Sequence, residues 1–289
     1  MRLGLNQHTV RRYSSRDETR PRIAQSNSEP PRWEAAWNER QPSLIQPSHA
    51  RWRLKRLKRK HEDSRQTLKV GMRGRSRTLL LAFGGLNRRI GMPPFEFLTL
   101  TGELPVKRMF LRDPRGAWYH EGLPRRGDTL MAVADSLRAE ISALRVERLV
   151  VAGNSAGGYA ALVFGTLLEA DLVLAFAPRT VLDVNRLASM DESCEELNAL
   201  AAADALDDRW TDLGTALRHE RHARTHYRVF FDTTHTKDRL HAERLVGLEG
   251  VRLYRFGQGG HELVRHLRDV GALERIVGEA VAPTRGIDI

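Results

Sequence analysis

Residues 149–159 read LVVAGNSAGGY, and within them Gly153-Asn154-Ser155-Ala156-Gly157 has the spacing G-x-S-x-G. An apolar run precedes it and another follows directly, so the motif sits where a buried strand turns into a helix. That context is what a nucleophilic serine requires. The turn drives its central residue into a backbone conformation that side chains resist, so Gly153 and Gly157 flank Ser155 where bulk would clash. Gly158 lets the following helix approach the sheet. The hydroxyl then stands above the sheet edge at the positive end of the helix. Such chemistry needs three more groups. A base must take the hydroxyl proton, an acid must orient the base, and N–H donors must hold the oxyanion of an acyl intermediate.

Of eleven histidines, His261 is the one in a glycine-rich loop, Gly257-Gln258-Gly259-Gly260, after an apparent C-terminal strand, VRLYRF. It is the candidate base. Two aspartates follow the preceding strand, YRVFFD: Asp232 at its end and Asp238 in the loop beyond. Asp238 is preferred as the acid, because a loop several residues past a strand can reach across to the histidine; Asp232 is placed to cap or turn. The first oxyanion donor is expected at Ala156, the residue after the nucleophile. The second is expected from Phe83-Gly84-Gly85-Leu86, which closes the run TLLLAF, with Leu86 or Gly85 supplying the N–H.

The elements that must carry these residues alternate. Strands are expected at 66–70, 78–83, 107–112, 148–152, 171–177, 227–231 and 251–256. Helices are expected at 128–144 with Asp128 as N-cap, 156–168, within 186–222, at 239–245 and at 262–281. Strands interleaved with helical patterns predict an α/β fold, a mostly parallel sheet with helices on both faces. The loops 92–98 and 112–127 are rich in aromatic, proline and arginine residues and leave the C-terminal ends of strands, the face where open α/β sheets bind ligands. Arg112, Trp118, Tyr119 and His120 therefore either line a substrate pocket, together with Asn154, or belong to a well-ordered structural loop. Residues 180–226 form either a cap over the site or two surface helices.

The segments AFGGL, GNSAGGYAAL and GQGGHELV, in this order, resemble the α/β-hydrolase superfamily over roughly residues 66–281. MPPFEF, FLRDPRGAWYHEGLP, AFAP and HELVRHLRDVG also resemble a group of uncharacterised bacterial α/β-hydrolase-like proteins, some linked to surface-glycan biosynthesis. The resemblance implies ester, thioester or amide chemistry through an acyl-enzyme: Ser155 as nucleophile, His261 as base, Ala156 as oxyanion donor and Asp238 as acid. It implies a small-molecule or glycan acyl substrate and no cofactor. Acyl transfer to a glycan or other alcohol would use the same residues. The first part of the fold is short compared with the superfamily pattern, with few strands before Thr78.

Composition excludes several other classes. The formal net charge is +11, but residues 1–77 hold 20 Lys and Arg against 7 Asp and Glu, while the remainder is slightly acidic. A uniformly basic nucleic-acid-binding protein is thereby excluded. Residues 1–64 read as a disordered basic arm, with Pro21, Pro30, Pro31, Pro42 and Pro47 among polar residues and too little apolar surface to order. Residues 65–289 are expected to form the α/β-hydrolase-like catalytic domain. Within the arm, RWRLKRLKRK at 51–60 is either a solvated linker or a patch for an anionic partner, and a non-catalytic scaffold tethered through it is the reading of a different class. One cysteine, Cys194, excludes a disulfide framework or a Cys-rich zinc site. No stretch approaches the roughly 18 apolar residues of a membrane span, and the N-terminus lacks the apolar core of a secretory signal; the default compartment is the cytosol. No metal site is expected: His261 and His266 are spaced H-E-x-x-x-H, which puts the rings about 140° apart on a helix.

Overall fold

The computed structural model describes residues 67–72, 75–85, 97–183, 187 and 206–282. The expected disordered arm, its 51–60 patch, the 64/65 domain boundary and Leu86 all lie outside the described residues, as does most of the 184–205 segment. The described residues belong to one compact unit, Ala50–Ile289.

Seven strands form one sheet: β1 (Thr67–Val70), β2 (Thr78–Phe83), β3 (Lys107–Leu111), β4 (Arg148–Asn154), β5 (Leu172–Phe176), β6 (His226–Asp232) and β7 (Val251–Phe256). Their order is β1-β3-β2-β4-β5-β6-β7. β1 runs antiparallel to β3, with Thr67 opposite Leu111, and every other pair is parallel. The central strands are buried along their whole length, as in TLLLAF of β2 and LVLAF of β5. Sheets covered on both faces select such continuous apolar runs.

Among the described residues six helices accompany the sheet: α1 (Leu130–Ala143), α2 (Ala156–Leu167), α3 (Leu213–Glu220), α4 (Thr236–Glu243), α5 (Leu263–Asp269) and α6 (Ala272–Val281). α2 is buried on nearly every side and packs on β4 and β5. It can lie this close because Gly165 faces Val173, where an added Cβ would come within 2.3 Å of a methyl group. Among the described residues no helix is long and apolar enough to cross a membrane.

Several expectations change. The N-cap of α1 is Thr129, whose hydroxyl accepts from Ala132 N–H; Asp128 stands one residue too early. The single helix expected at 262–281 is two, broken at Gly271, which takes φ 69° in the left-handed region. Buried apolar residues continue on both sides of that break, Leu263, Val264 and Leu267 before it and Ala272, Leu273 and Ile276 after it, so periodicity does not reveal it. Of the 186–222 region, a short 3₁₀ turn (Asp208–Trp210) and α3 are described, and α3 starts from Asp212, whose carboxylate accepts from Gly214 and Thr215 N–H.

The chain runs from β2 outward to β3 and then returns to place β4 on the other side of β2. The connections therefore diverge at the C-terminal ends of β2 and β4, opening a crevice of the kind where doubly wound sheets bind ligands. Phe83, the last residue of β2, pairs in register with Gly153 of β4. Gly84-Gly85 and Asn154-Ser155 consequently leave the sheet side by side.

Candidate active site

Ser155 has φ 55° and ψ −117°, a region costly for a residue with a side chain. Its N–H donates to Phe176 O of β5 at 2.9 Å, which fixes the turn to the neighbouring strand. A Cβ at Gly153 would lie 1.9 Å from Gly157 O, and one at Gly157 would lie 2.2 Å from Phe83 O. Neither position can carry any other residue without moving backbone, which is the physical content of the G-x-S-x-G spacing.

Ser155 Oγ lies 3.0 Å from His261 Nε2. His261 Nδ1 lies 2.8 and 3.1 Å from the two carboxylate oxygens of Asp238. The structure thus brings Ser155, His261 and Asp238 into one line of hydrogen bonds, although 106 residues separate Ser155 from His261. Nδ1 must donate to the carboxylate, so Nε2 presents its lone pair to the serine hydroxyl.

His261 lies in a 3₁₀ turn, Gly260–Glu262, ahead of α5 rather than on the helix itself. Gly259 and Gly260 reach it with φ 110° and 56°, conformations that glycine adopts without strain. Asp232 does not touch the imidazole. It accepts from Gly260 N–H at 2.6 Å and from the N–H and hydroxyl of Thr234, both at 2.8 Å. Its burial disfavours charge, yet these donors hold its carboxyl below the usual range. The two aspartates therefore divide the work: Asp238 meets the ring and Asp232 ties down the loop that carries it.

Asp238 is fully buried in the first turn of α4. Two residues that the sequence did not single out meet it. Arg179, buried just after β5, approaches Asp238 Oδ1 at 3.4 Å. His235, the N-cap of α4, has Nδ1 at 3.2 Å from Asp238 Oδ2. The position of Arg179 beyond the C-terminal end of a strand was the available signal for it; nothing in the sequence marks His235. Among the described residues, His235, Asp238 and His261 each offer one ligand atom within 4.8 Å of the others. The Arg179 guanidinium on the same carboxylate opposes a cation there.

Ala156 opens α2, so its N–H has no acceptor within the helix. Gly85 lies beside it, since a Cβ there would contact Asn154 O at 3.4 Å. Asn154 itself is the buried last residue of β4.

Trp118, Tyr119 and His120 are all buried. Their exposures are 3%, 1% and 3%, and they pack against protein. His120 Nδ1 accepts the Asp207 N–H at 2.9 Å and its Nε2 lies 2.7 Å from the Tyr159 hydroxyl, which donates to Trp210 O at 2.9 Å. Burial, only partly offset by Asp207, lowers the His120 pKa to about 4. All three are thus held by contacts within the protein, Tyr119 through its hydroxyl on Gly84 O and His120 through both ring nitrogens. Arg112, directly after β3, is partly exposed.

No protein-family model matches the chain, and no curated protein matches it. Solved structures do. The capsule O-acetyltransferase of Neisseria meningitidis serogroup A, in complex with caged gadolinium, matches with a TM-score of 0.56 at 14% identity, over 73% of this chain and 90% of that one. A variant of that enzyme in complex with CoA matches with a TM-score of 0.52 at 11% identity, over 75% and 91%. An alpha/beta hydrolase enzyme from the metagenome of sediments of the Mar Chica lagoon, Morocco, matches with a TM-score of 0.49 at 15% identity, over 74% and 92%. At these identities the likeness is one of architecture. The chain has the α/β-hydrolase fold, with Ser155 on its strand-to-helix turn.

Proposed function

We propose that the protein is a serine acyl hydrolase acting on an ester, thioester or amide through an acyl-enzyme on Ser155. The observation that carries this reading is the continuous hydrogen-bond line Ser155–His261–Asp238, at 3.0 and 2.8 Å, at the crevice between β2 and β4. Asp238 keeps the His261 proton on Nδ1, so Nε2 takes the proton of Ser155 as Oγ attacks the acyl carbonyl. The N–H groups of Ala156 and Gly85 stabilise the tetrahedral oxyanion. Collapse breaks the bond to the leaving group, which receives the proton from His261 Nε2. Water then repeats the sequence and releases the acid, restoring Ser155.

A second reading, transfer of the acyl group to a hydroxyl of a glycan or other alcohol, is favoured by the match to a capsule O-acetyltransferase. It needs the same residues and differs only in the acceptor that enters the second half-reaction. The basic segment 51–60 would then serve to hold the enzyme near an anionic partner.

A fluorophosphonate probe tests the first reading. The wild-type chain is expected to be labelled and Ser155→Ala to lose the label; a folded chain inert to such probes overturns it. Incubation with acetyl-CoA or p-nitrophenyl acetate and a sugar acceptor separates the two readings, because transfer yields an acylated sugar and hydrolysis yields only acetate.

A further inference from the structure

The hydroxyl of Tyr119 donates to Gly84 O at 2.8 Å, across 35 residues of chain. Leu111 O lies farther away, at 3.4 Å, so the single hydroxyl proton goes to Gly84. Gly84 is also held from its other side, because its own N–H donates to Leu111 O at 2.9 Å. In a trans peptide the C=O and the following N–H point in opposite directions. Gripping Gly84 O therefore sets the direction of Gly85 N–H, which faces away from Tyr119. Among the described residues that N–H meets no acceptor.

A peptide between two glycines is the easiest kind to flip, because neither neighbour has a Cβ to oppose the rotation. Flipped, it would turn a carbonyl oxygen toward the place where an oxyanion forms. We propose that Tyr119 is a positioning residue that locks the Gly84–Gly85 peptide so that Gly85 N–H serves as the second oxyanion donor. This rests on the serine acyl-transfer reading above.

The surroundings of Tyr119 fit such a role. Trp118 and Tyr119 adopt φ 55° and 68°, two successive left-handed residues that are not glycine. Strain of this kind persists only where the surroundings impose it. The Asp113 carboxylate accepts the N–H of Tyr119 and of Arg115, each at 2.9 Å. The ring stands edge-on to Phe83 at 5.3 Å and to Phe164 at 6.0 Å. The phenol is thus anchored from Phe83, the strand end that leads into Gly84, and from the helix that Ser155 caps.

The test is the rate at which a fluorophosphonate labels Ser155, measured with the hydrolysis of p-nitrophenyl acetate and inhibition by a trifluoromethyl ketone, whose adduct carries an oxyanion. Tyr119→Phe keeps the ring and removes the hydroxyl. It is expected to slow labelling and kcat by about ten- to a hundredfold, leave KM unchanged and weaken the ketone by the same factor. 4-Aminophenylalanine at position 119, which can still donate, is expected to restore most of the loss. A structural role alone would not move kcat and ketone affinity in parallel at constant KM. Gly85→Pro, which deletes the N–H directly, is expected to cost about 10²–10³ in the same rates and serves if Tyr119→Phe does not fold. Wild-type rates in a folded Tyr119→Phe chain, or in Gly85→Pro, overturn the proposal. If the wild-type chain is not labelled, or Ser155→Ala is as active as wild type, the serine reading itself fails and Tyr119 is not the cause.

Discussion

Two histidine–hydroxyl pairs lie one helical turn apart on α2, and they do opposite things. Ser155, the N-cap of α2, faces His261 at 3.0 Å, and Tyr159, four residues on, faces His120 at 2.7 Å. What differs is the group at the other ring nitrogen. Asp238 offers His261 Nδ1 an acceptor, so Nδ1 carries the proton and Nε2 is left basic. The backbone N–H of Asp207 offers His120 Nδ1 a donor, so Nδ1 must be bare and Nε2 carries the proton toward Tyr159. A ring held that way cannot accept a hydroxyl proton. Exposure follows the same division, with His261 half-open at 36% of its side chain and His120 buried at 3%. An imidazole beside a hydroxyl is thus left with an open acceptor nitrogen in one place and is locked as a strut in the other.

The largest test of this contrast is Asp238→Asn. The amide can turn a donor toward Nδ1 and force the tautomer that His120 already has, so kcat for p-nitrophenyl acetate is expected to fall about 10⁴-fold with the fold intact. A loss under tenfold would mean that the second nitrogen does not decide the outcome. Asp232→Asn, which loosens the loop without touching the ring, is expected to cost far less in the same assay, roughly tenfold or below.

The strut should answer in stability instead. His120→Ala leaves a cavity, orphans the Asp207 N–H and removes one of the two partners of the Tyr159 hydroxyl, so urea unfolding is expected to show a loss of about 3 kcal/mol. Ser155 labelling should stay within a fewfold of wild type; its collapse in a folded variant would erase the distinction between the two pairs.

The pH dependence separates them as well. The folded pKa of His120, about 4, lies below the ordinary value of 6.5. The unfolded chain therefore takes the proton first as pH falls. This contribution to stability is complete above pH 6.5, declines as pH drops toward 4 and is gone below that, a loss of roughly 3 kcal/mol. Unfolding midpoints measured from pH 7.5 to 4 should show this slope in the wild type and a shallower one in His120→Ala. The smallest expected effect is Tyr159→Phe, which removes one hydroxyl between His120 and Trp210 O at about 1–3 kcal/mol, again with Ser155 labelling preserved.

The legible parts of the site are those that local rules dictate. β2 at Thr78–Phe83 and β7 at Val251–Phe256 match the sequence reading residue for residue, because apolar runs bounded by turn residues have sharp ends. The elbow was readable because its glycines answer to atoms within a few residues, as Gly153 does to Gly157 O. Loop reach ranks Asp238 above Asp232, but Asp238 stands in the first turn of α4 and not in a loop, because that helix begins at Thr236, ahead of the expected 239. The break at Gly271 and the capping of α1 by Thr129 escaped, since one residue either way leaves the hydrophobic pattern unchanged. Arg179, His235 and the roles of Tyr119 and His120 escaped for a different reason. The partners of Arg179, Tyr119 and His120 lie on other connections, His235 meets Asp238 only because α4 starts between them, and no periodicity encodes which donor meets which acceptor.

Sequence alone determined the alternation of strands and helices, the elbow that carries Ser155, and a short set of candidates for its partners. These depend on chain stiffness, side-chain bulk and burial, which act over a few residues. Only the tertiary structure decided which histidine faces a carboxylate and which faces an amide. That outcome depends on where the crevice between β2 and β4 opens and on what stands across it. A histidine's chemistry is set by the second bond its ring makes, and the packing of separate connections supplies that bond.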